Sequence, residues 1–201
     1  MAYSKERANN VSKNDIKYLP AGVITDVTLK EARTDVSPTG NRFFEIVFEK
    51  DGATLTHTEW EPKLGGFTTT AEQLQQKEDN QYSRMLQILH CFYDDALLNF
   101  NGENFEQFAN WIVMMLNAAD KSKKLRVKIV YNDKGYTTLP SYAKYTFIEP
   151  MTLPEGESSA IAELGIDKFV RPVKADAETP VTNPLEAGAA LTSNPTNDLP
   201  F

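Results

Sequence analysis

Polar and apolar residues alternate along the first part of the chain, then change period, and the changes divide it into strand, helix and strand again. From Gly22 onward Val23, Thr25, Val27 and Leu29 share one parity while Asp26, Thr28 and Lys30 take the other, which predicts a half-buried strand. The run Thr34 to Asn41 is rich in turn formers and is expected to end it. In Phe43 to Glu49 the inner face is expected to carry Phe44, Ile46 and Phe48, with Phe43, Glu45, Val47 and Glu49 outside. Asp51-Gly52 then turns the chain into a Thr-rich strand, Ala53 to Trp60, so these two strands form a tight hairpin.

Pro62 to Gly66 breaks the sheet, and Thr68-Thr69-Thr70-Ala71-Glu72 offers a helix cap followed by an acidic first turn. Leu74, Met85, Leu86, Ile88, Leu89 and Phe92 suit one or two helices, with a break placed around Asp79-Asn80. Phe105, Phe108, Ala109, Ile112, Val113 and Leu116 then recur at helical spacing. Strand periodicity returns in Leu125, Val127, Ile129 and Tyr131. A turn at Asn132 to Gly135 follows, and a last strand is expected from Tyr142 to Ile148.

Five short strands with helices between strands 3 and 4 predict a mainly β fold, a Greek-key barrel of the oligonucleotide-binding (OB) type; a meander packed on helices has the same element order. Residues 1–20 are expected to form a flexible arm, 21–150 the barrel, 151–169 a partly ordered extension with a short helix over Ser158 to Leu164, and 170–201 a disordered tail. In that tail Pro172, Pro180, Pro184, Pro195 and Pro200 interrupt both helix and sheet.

Charge changes this picture. The formal net charge is -7, but Met151 to Phe201 holds 3 basic and 8 acidic side chains, which leaves only -2 for residues 1–150. Between Lys121 and Ile148 stand Lys121, Lys123, Lys124, Arg126, Lys128, Lys134 and Lys144 against Asp133 alone. Local potential, more than net charge, attracts a phosphate backbone.

Catalytic chemistry finds little support. His57, His90 and Cys91 make no spaced metal cluster, no phosphate-binding loop is present, and Asp94-Asp95 are adjacent and so diverge on a helix. Neither enzyme activity, nor a cofactor, nor a metal is expected. The single Cys91 reads as a buried thiol in a reducing compartment, and no apolar run is long enough to span a bilayer, so a cytoplasmic protein without a membrane partner is expected, either monomer or homodimer.

Binding of single-stranded nucleic acid needs cations for phosphates and aromatic faces for bases. The candidates are Arg42, Phe43, His57 and Trp60 from the first half of the sheet, and Lys124, Arg126, Lys128, Lys134, Tyr136, Tyr142 and Lys144 from the second. The chain closes on Asp198-Leu199-Pro200-Phe201, an apolar tip after a stretch with few large apolar residues. This tip resembles the end of bacterial and phage single-stranded-DNA-binding proteins, which finish in acidic residues, an aliphatic residue and Pro-Phe.

The resemblance implies a barrel that coats exposed single strands during replication, recombination and repair. It further implies a tail whose Asp198, Leu199, Pro200 and Phe201 recruit replication or repair proteins, with Phe201 entering an apolar pocket on the partner. Only Asp198 is acidic in the last nine residues, which departs from the family pattern and weakens the expected electrostatic part of that recruitment. A phage virion or assembly protein using the same barrel and tail for protein contacts is the alternative.

Overall fold

A computed structural model describes residues 17–172; most of the expected arm and nearly all of the tail, including Asp198 to Phe201, lie outside the described residues. The strands are β1 (Lys17–Tyr18), β2 (Gly22–Val36), β3 (Arg42–Lys50), β4 (Ala53–Trp60), β5 (Leu125–Tyr131), β6 (Thr137–Thr138) and β7 (Ile148–Pro150). Helices α1 (Ala71–His90) and α2 (Phe105–Ala118) lie between β4 and β5. The fold is mainly β, a nearly closed, barrel-like sheet of seven strands in the order β1-β4-β3-β2-β5-β6, with β7 also on β5.

The long strand β2 organises the sheet. Its first half, Gly22 to Val27, pairs with β5, and its second half, Thr28 to Val36, pairs with β3. Register irregularities between Ile24 and Val27 and between Leu29 and Glu31 bend it from one partner to the other, and Asp26 takes φ 59° at the first. After the second irregularity the buried side chain is Ala32, so simple alternation does not extend along the strand. The loop expected from Thr34 is correspondingly shorter: β2 continues through Val36, and the turn is closed by the Gly40 amide donating to the Ser37 carbonyl at 2.9 Å.

β3 and β4 form the expected hairpin. Asp51 (φ 51°) and Gly52 (φ 79°) occupy the two central positions of a turn that needs positive φ at both. Phe44, Ile46 and Phe48 are buried as the alternation predicts, against Met85, Ile88 and Leu89 of α1, Phe108, Ile112 and Leu116 of α2, and Leu125, Val127 and Ile129 of β5.

The break expected at Asp79-Asn80 is absent, and α1 is one helix of 20 residues. Both residues sit on its exposed side, where their low propensity costs only a few tenths of a kcal/mol, about what local hydrogen bonds such as Gln75 Nε2 to Asp79 Oδ1 (3.0 Å) return. Thr70 caps α1 by accepting from the Gln73 amide, and Asn104 caps α2 by accepting from the Gln107 amide. At the other end of α2 the Asn117 side chain donates to the Ala32 carbonyl (2.8 Å) and accepts from the Ala32 amide (3.1 Å), occupying the edge of β2 as a strand would.

Two expectations near the C-terminus are corrected. Tyr142 to Phe147 is not a strand, and only Ile148 of the expected strand lies in β7. α1 engages the segment and the residue before it, Gln87 donating to the Ala143 carbonyl (2.7 Å) and Arg84 to the Ser141 carbonyl (3.0 Å). β5 meets it only at its end, the Lys128 amide donating to the Phe147 carbonyl (2.7 Å). Ser158 to Leu164 is not a helix. It belongs to an irregular strap, residues 151–172, drawn across β5: the Ala160 amide donates to Glu149 (3.0 Å), the Tyr131 amide to the Lys168 carbonyl (2.8 Å), and the Leu164 amide to Asp167 (2.8 Å).

The strap is fastened by a charge. Lys128 of β5 is 0 % exposed and donates from Nζ to Asp167 Oδ2 (2.8 Å), to the Tyr142 hydroxyl (2.8 Å) and to the Ala162 carbonyl. The Tyr142 hydroxyl in turn donates to Asp167 Oδ1 at 2.9 Å. Removing one member of a buried pair strands the other, so Asp167→Ala should lower the unfolding free energy by ~3–5 kcal/mol in urea titrations, whereas the double variant Lys128→Met/Asp167→Leu should lose distinctly less. Equal losses in the two would show that the ion pair does not fasten the strap.

Candidate nucleic-acid interface

The hairpin register places Phe43 opposite Trp60, on the face of the sheet turned away from Phe44 and the core. Their rings lie 4.7 Å apart between centroids at 41°, and Trp60 remains 50 % exposed. Arg42 precedes the pair and reaches Glu106 at 3.3 Å; Lys63 follows it and meets Glu61 at 3.1 Å. A groove of about 450 Å³ opens beside Trp60, walled by Pro62, Lys63, Lys77, Asn80, Arg84 and Ser141.

A buried network behind Trp60 holds this rim in place. Glu59 accepts from Arg84 Nε (3.0 Å) and Nη2 (2.9 Å) and from Gln81 Nε2 (2.9 Å). His57 Nε2 donates to the same carboxylate at 3.0 Å, and its Nδ1 lies 3.1 Å from the Thr138 hydroxyl of β6. Gln81 also donates to the Trp60 carbonyl at 3.0 Å. The network therefore joins the end of β4 to α1, to β6 and, through Arg84, to Ser141. Burial acts to raise the Glu59 pKa, but His57, Arg84 and Gln81 together overcome it and hold the carboxyl at about 2.

The expected site residues fall into distinct groups. Arg42, Phe43 and Trp60 are together. His57 is a correction: it faces the core opposite Ile46 and serves the Glu59 network, so it offers nothing to a ligand on the outer face. Lys128 is a second correction, since the strap converts it from a surface cation into the buried partner of Asp167. Tyr142 is drawn into the same network, and Arg126 is paired with Glu149. Arg126 and Lys128, both expected to meet a nucleic acid, are therefore engaged with carboxylates of the chain itself.

Lys124, Lys134, Tyr136 and Lys144 do face solvent. Tyr136, 65 % exposed, sits with Lys134 on the turn between β5 and β6, where the Asn132 amide donates to the Tyr136 carbonyl at 2.9 Å. Lys144 stands over the Tyr145 ring at 5.6 Å, and Tyr145 meets Tyr142 edge-on at 5.5 Å. Lys124 lies elsewhere, sharing a groove with Lys50, Asp26, Glu49 and Asp51.

Lys63 and Lys77 escaped the sequence reading because the Pro- and Gly-containing segment and the polar side of α1 each look unremarkable alone; only folding brings both to the Trp60 groove. Among the described residues, no three His, Cys, Asp or Glu side chains are grouped to hold a metal ion. Burial pushes the Cys91 thiol up to about 12, which leaves it an inert core side chain at neutral pH.

No family model matches the chain, and neither curated proteins nor solved structures include a match to it.

Glu59 is held below its ordinary value of 4.5, so its contribution to stability is complete above about pH 5 and is lost as pH falls toward 2. In Glu59→Gln the Arg84 guanidinium loses its counter-charge, and the variant should be ~3 kcal/mol less stable at pH 7. The difference in urea midpoint between wild type and variant should shrink steadily from pH 5 to pH 2; a difference constant over that range would show that the carboxylate charge is not what holds the network.

Proposed function

We propose that this protein binds single-stranded DNA without sequence preference, as a non-catalytic coating and protecting protein in replication and recombination. The observation that carries the reading is the Phe43 and Trp60 pair, two aromatic rings kept at the solvent face of adjacent strands although a core lies directly behind them. Stacking on such rings accepts any base, since every base has a π-face. Lys63 and Lys77 beside Trp60, and Lys134 and Lys144 on the β5–β6 turn and the segment after β6, supply cations of the kind a phosphate backbone requires.

The strand arrangement supports the same reading. Setting aside the short β1, a bent strand that pairs with both its successor and the strand after the helices is the arrangement of an OB-type barrel. Its second and third strands, here β3 and β4, and the loops 37–41 and 132–136 would then form the binding face. Asp198, Leu199, Pro200 and Phe201 add the second half of the proposal, recruitment of replication or repair proteins, on the strength of their resemblance to the family tip.

Titration of labelled oligo-dT, oligo-rU and duplex DNA at two salt concentrations tests this. Oligo-dT should bind more tightly than duplex, with affinity falling as salt rises because bound phosphates release counterions. Trp60→Ala should weaken oligo-dT binding by at least fivefold, the low end of the ~1–3 kcal/mol that a stacked base contributes. Absence of oligonucleotide binding at both salts would overturn the proposal and favour a virion or assembly role.

A further inference from the structure

The segment between β4 and α1 holds out a further aromatic ring. Gly65 and Thr68 exchange both backbone hydrogen bonds, 2.8 Å from the Gly65 amide and 3.0 Å from the Thr68 amide, so Gly66 and Phe67 are the two tip residues of a minimal hairpin. Gly65 (φ 132°) and Gly66 (φ 59°) adopt backbone conformations that other residues rarely take, which makes the pair of glycines a requirement of this turn. Phe67 is 100 % exposed.

The base of the hairpin is anchored. Thr68 is buried, and its hydroxyl accepts a hydrogen bond from Lys77 of α1, the same lysine that walls the groove beside Trp60. Phe67 therefore cannot fold back onto the core without opening both backbone bonds and withdrawing Thr68. Among the described residues no other large apolar side chain is as exposed, Val170 at 84 % coming next.

We infer that Phe67 is an aromatic finger that stacks on a nucleobase next to the one held at Trp60. The inference rests on the strand-binding reading and adds a contact to it. A nucleobase is the occupant that the surroundings favour: Lys77, hydrogen-bonded to Thr68 at the base of the hairpin, also walls the groove beside Trp60 and can meet the phosphate joining two stacked nucleotides. Glu61 and Glu59, the carboxylates of the groove, are already paired with Lys63 and with Arg84. Phe67 contributes a ring and no charge, so its effect is separable from that of the cations.

The test uses the full chain and labelled oligo-dT in fluorescence anisotropy at two salt concentrations, beside an oligonucleotide of the same length whose sugars carry no bases. Phe67→Ala should weaken oligo-dT binding about 5- to 150-fold, the range equivalent to one stacked base, with an unchanged salt dependence. It should leave binding of the abasic strand unaltered, and Phe67→Trp should stay near wild type. Since the ring touches no core residue, both variants should fold, which circular dichroism checks.

Wild-type protein that fails to bind oligo-dT would sink the strand-binding reading itself. Wild-type binding that Phe67→Ala does not weaken, or an equal loss on the abasic strand, would overturn the finger and leave that reading standing.

Discussion

The barrel-like sheet depends on one strand having two partners. β2 gives its first half to β5 and its second half to β3, and the two register irregularities supply the bend that makes this possible. Every later feature follows from that division. Because β5 is held at one end of β2 and the β3–β4 hairpin at the other, the helices between β4 and β5 must cross the opening between them, and their apolar sides fill it. The outer face of the hairpin is left free for Phe43 and Trp60, whereas the outer face of β5 is taken by the strap.

Charge is distributed by the same geometry. Lys128 and Asp167 form a fully buried pair, and Glu59 with Arg84 and His57 a nearly buried cluster, each with its hydrogen-bonding capacity filled. Such groups specify where segments sit more than they add net stability. One fastens the strap to β5; the other fixes the end of β4 against α1. On the sheet exterior, Lys30 with Glu49 and Arg33 with Glu45 neutralise one another. Among the described residues, no carboxylate lies within 4.0 Å of Lys77 at the Trp60 groove or of Lys134 and Lys144 beyond β5, nor of Lys50, Lys121, Lys123 and Lys124 elsewhere.

Much of this was legible in the alternation of residues. Phe44, Ile46 and Phe48 announce an inner face, and the two-residue Asp51-Gly52 turn dictates that Phe43 meets Trp60. The same register puts His57 opposite Ile46, so its core position followed from information already in the hairpin. Lys128 is different in kind. Its strand shows a charged residue on an outward parity, and what buries it lies 39 residues further along in a segment with no periodicity of its own. A long-range cover made of irregular backbone leaves no local trace. The missing break at Asp79-Asn80 and the strand lost at Tyr142 have different causes: the first was offset by a hydrogen bond within α1 itself, the second by side-chain hydrogen bonds that α1 makes across the fold.

The amide of Asn117 carries a consequence for behaviour at high concentration. A sheet edge with free amides and carbonyls is a template for another chain, and β2 would offer such an edge where β5 departs from it. Asn117 fills the middle of that stretch with one side chain, and Asp35 turns its carboxylate onto the Val36 amide at 2.7 Å near the end. Two short polar residues thus stand where a neighbouring molecule would have to insert a strand. Crowding many copies together therefore need not invite the edge-to-edge aggregation to which open sheets are prone.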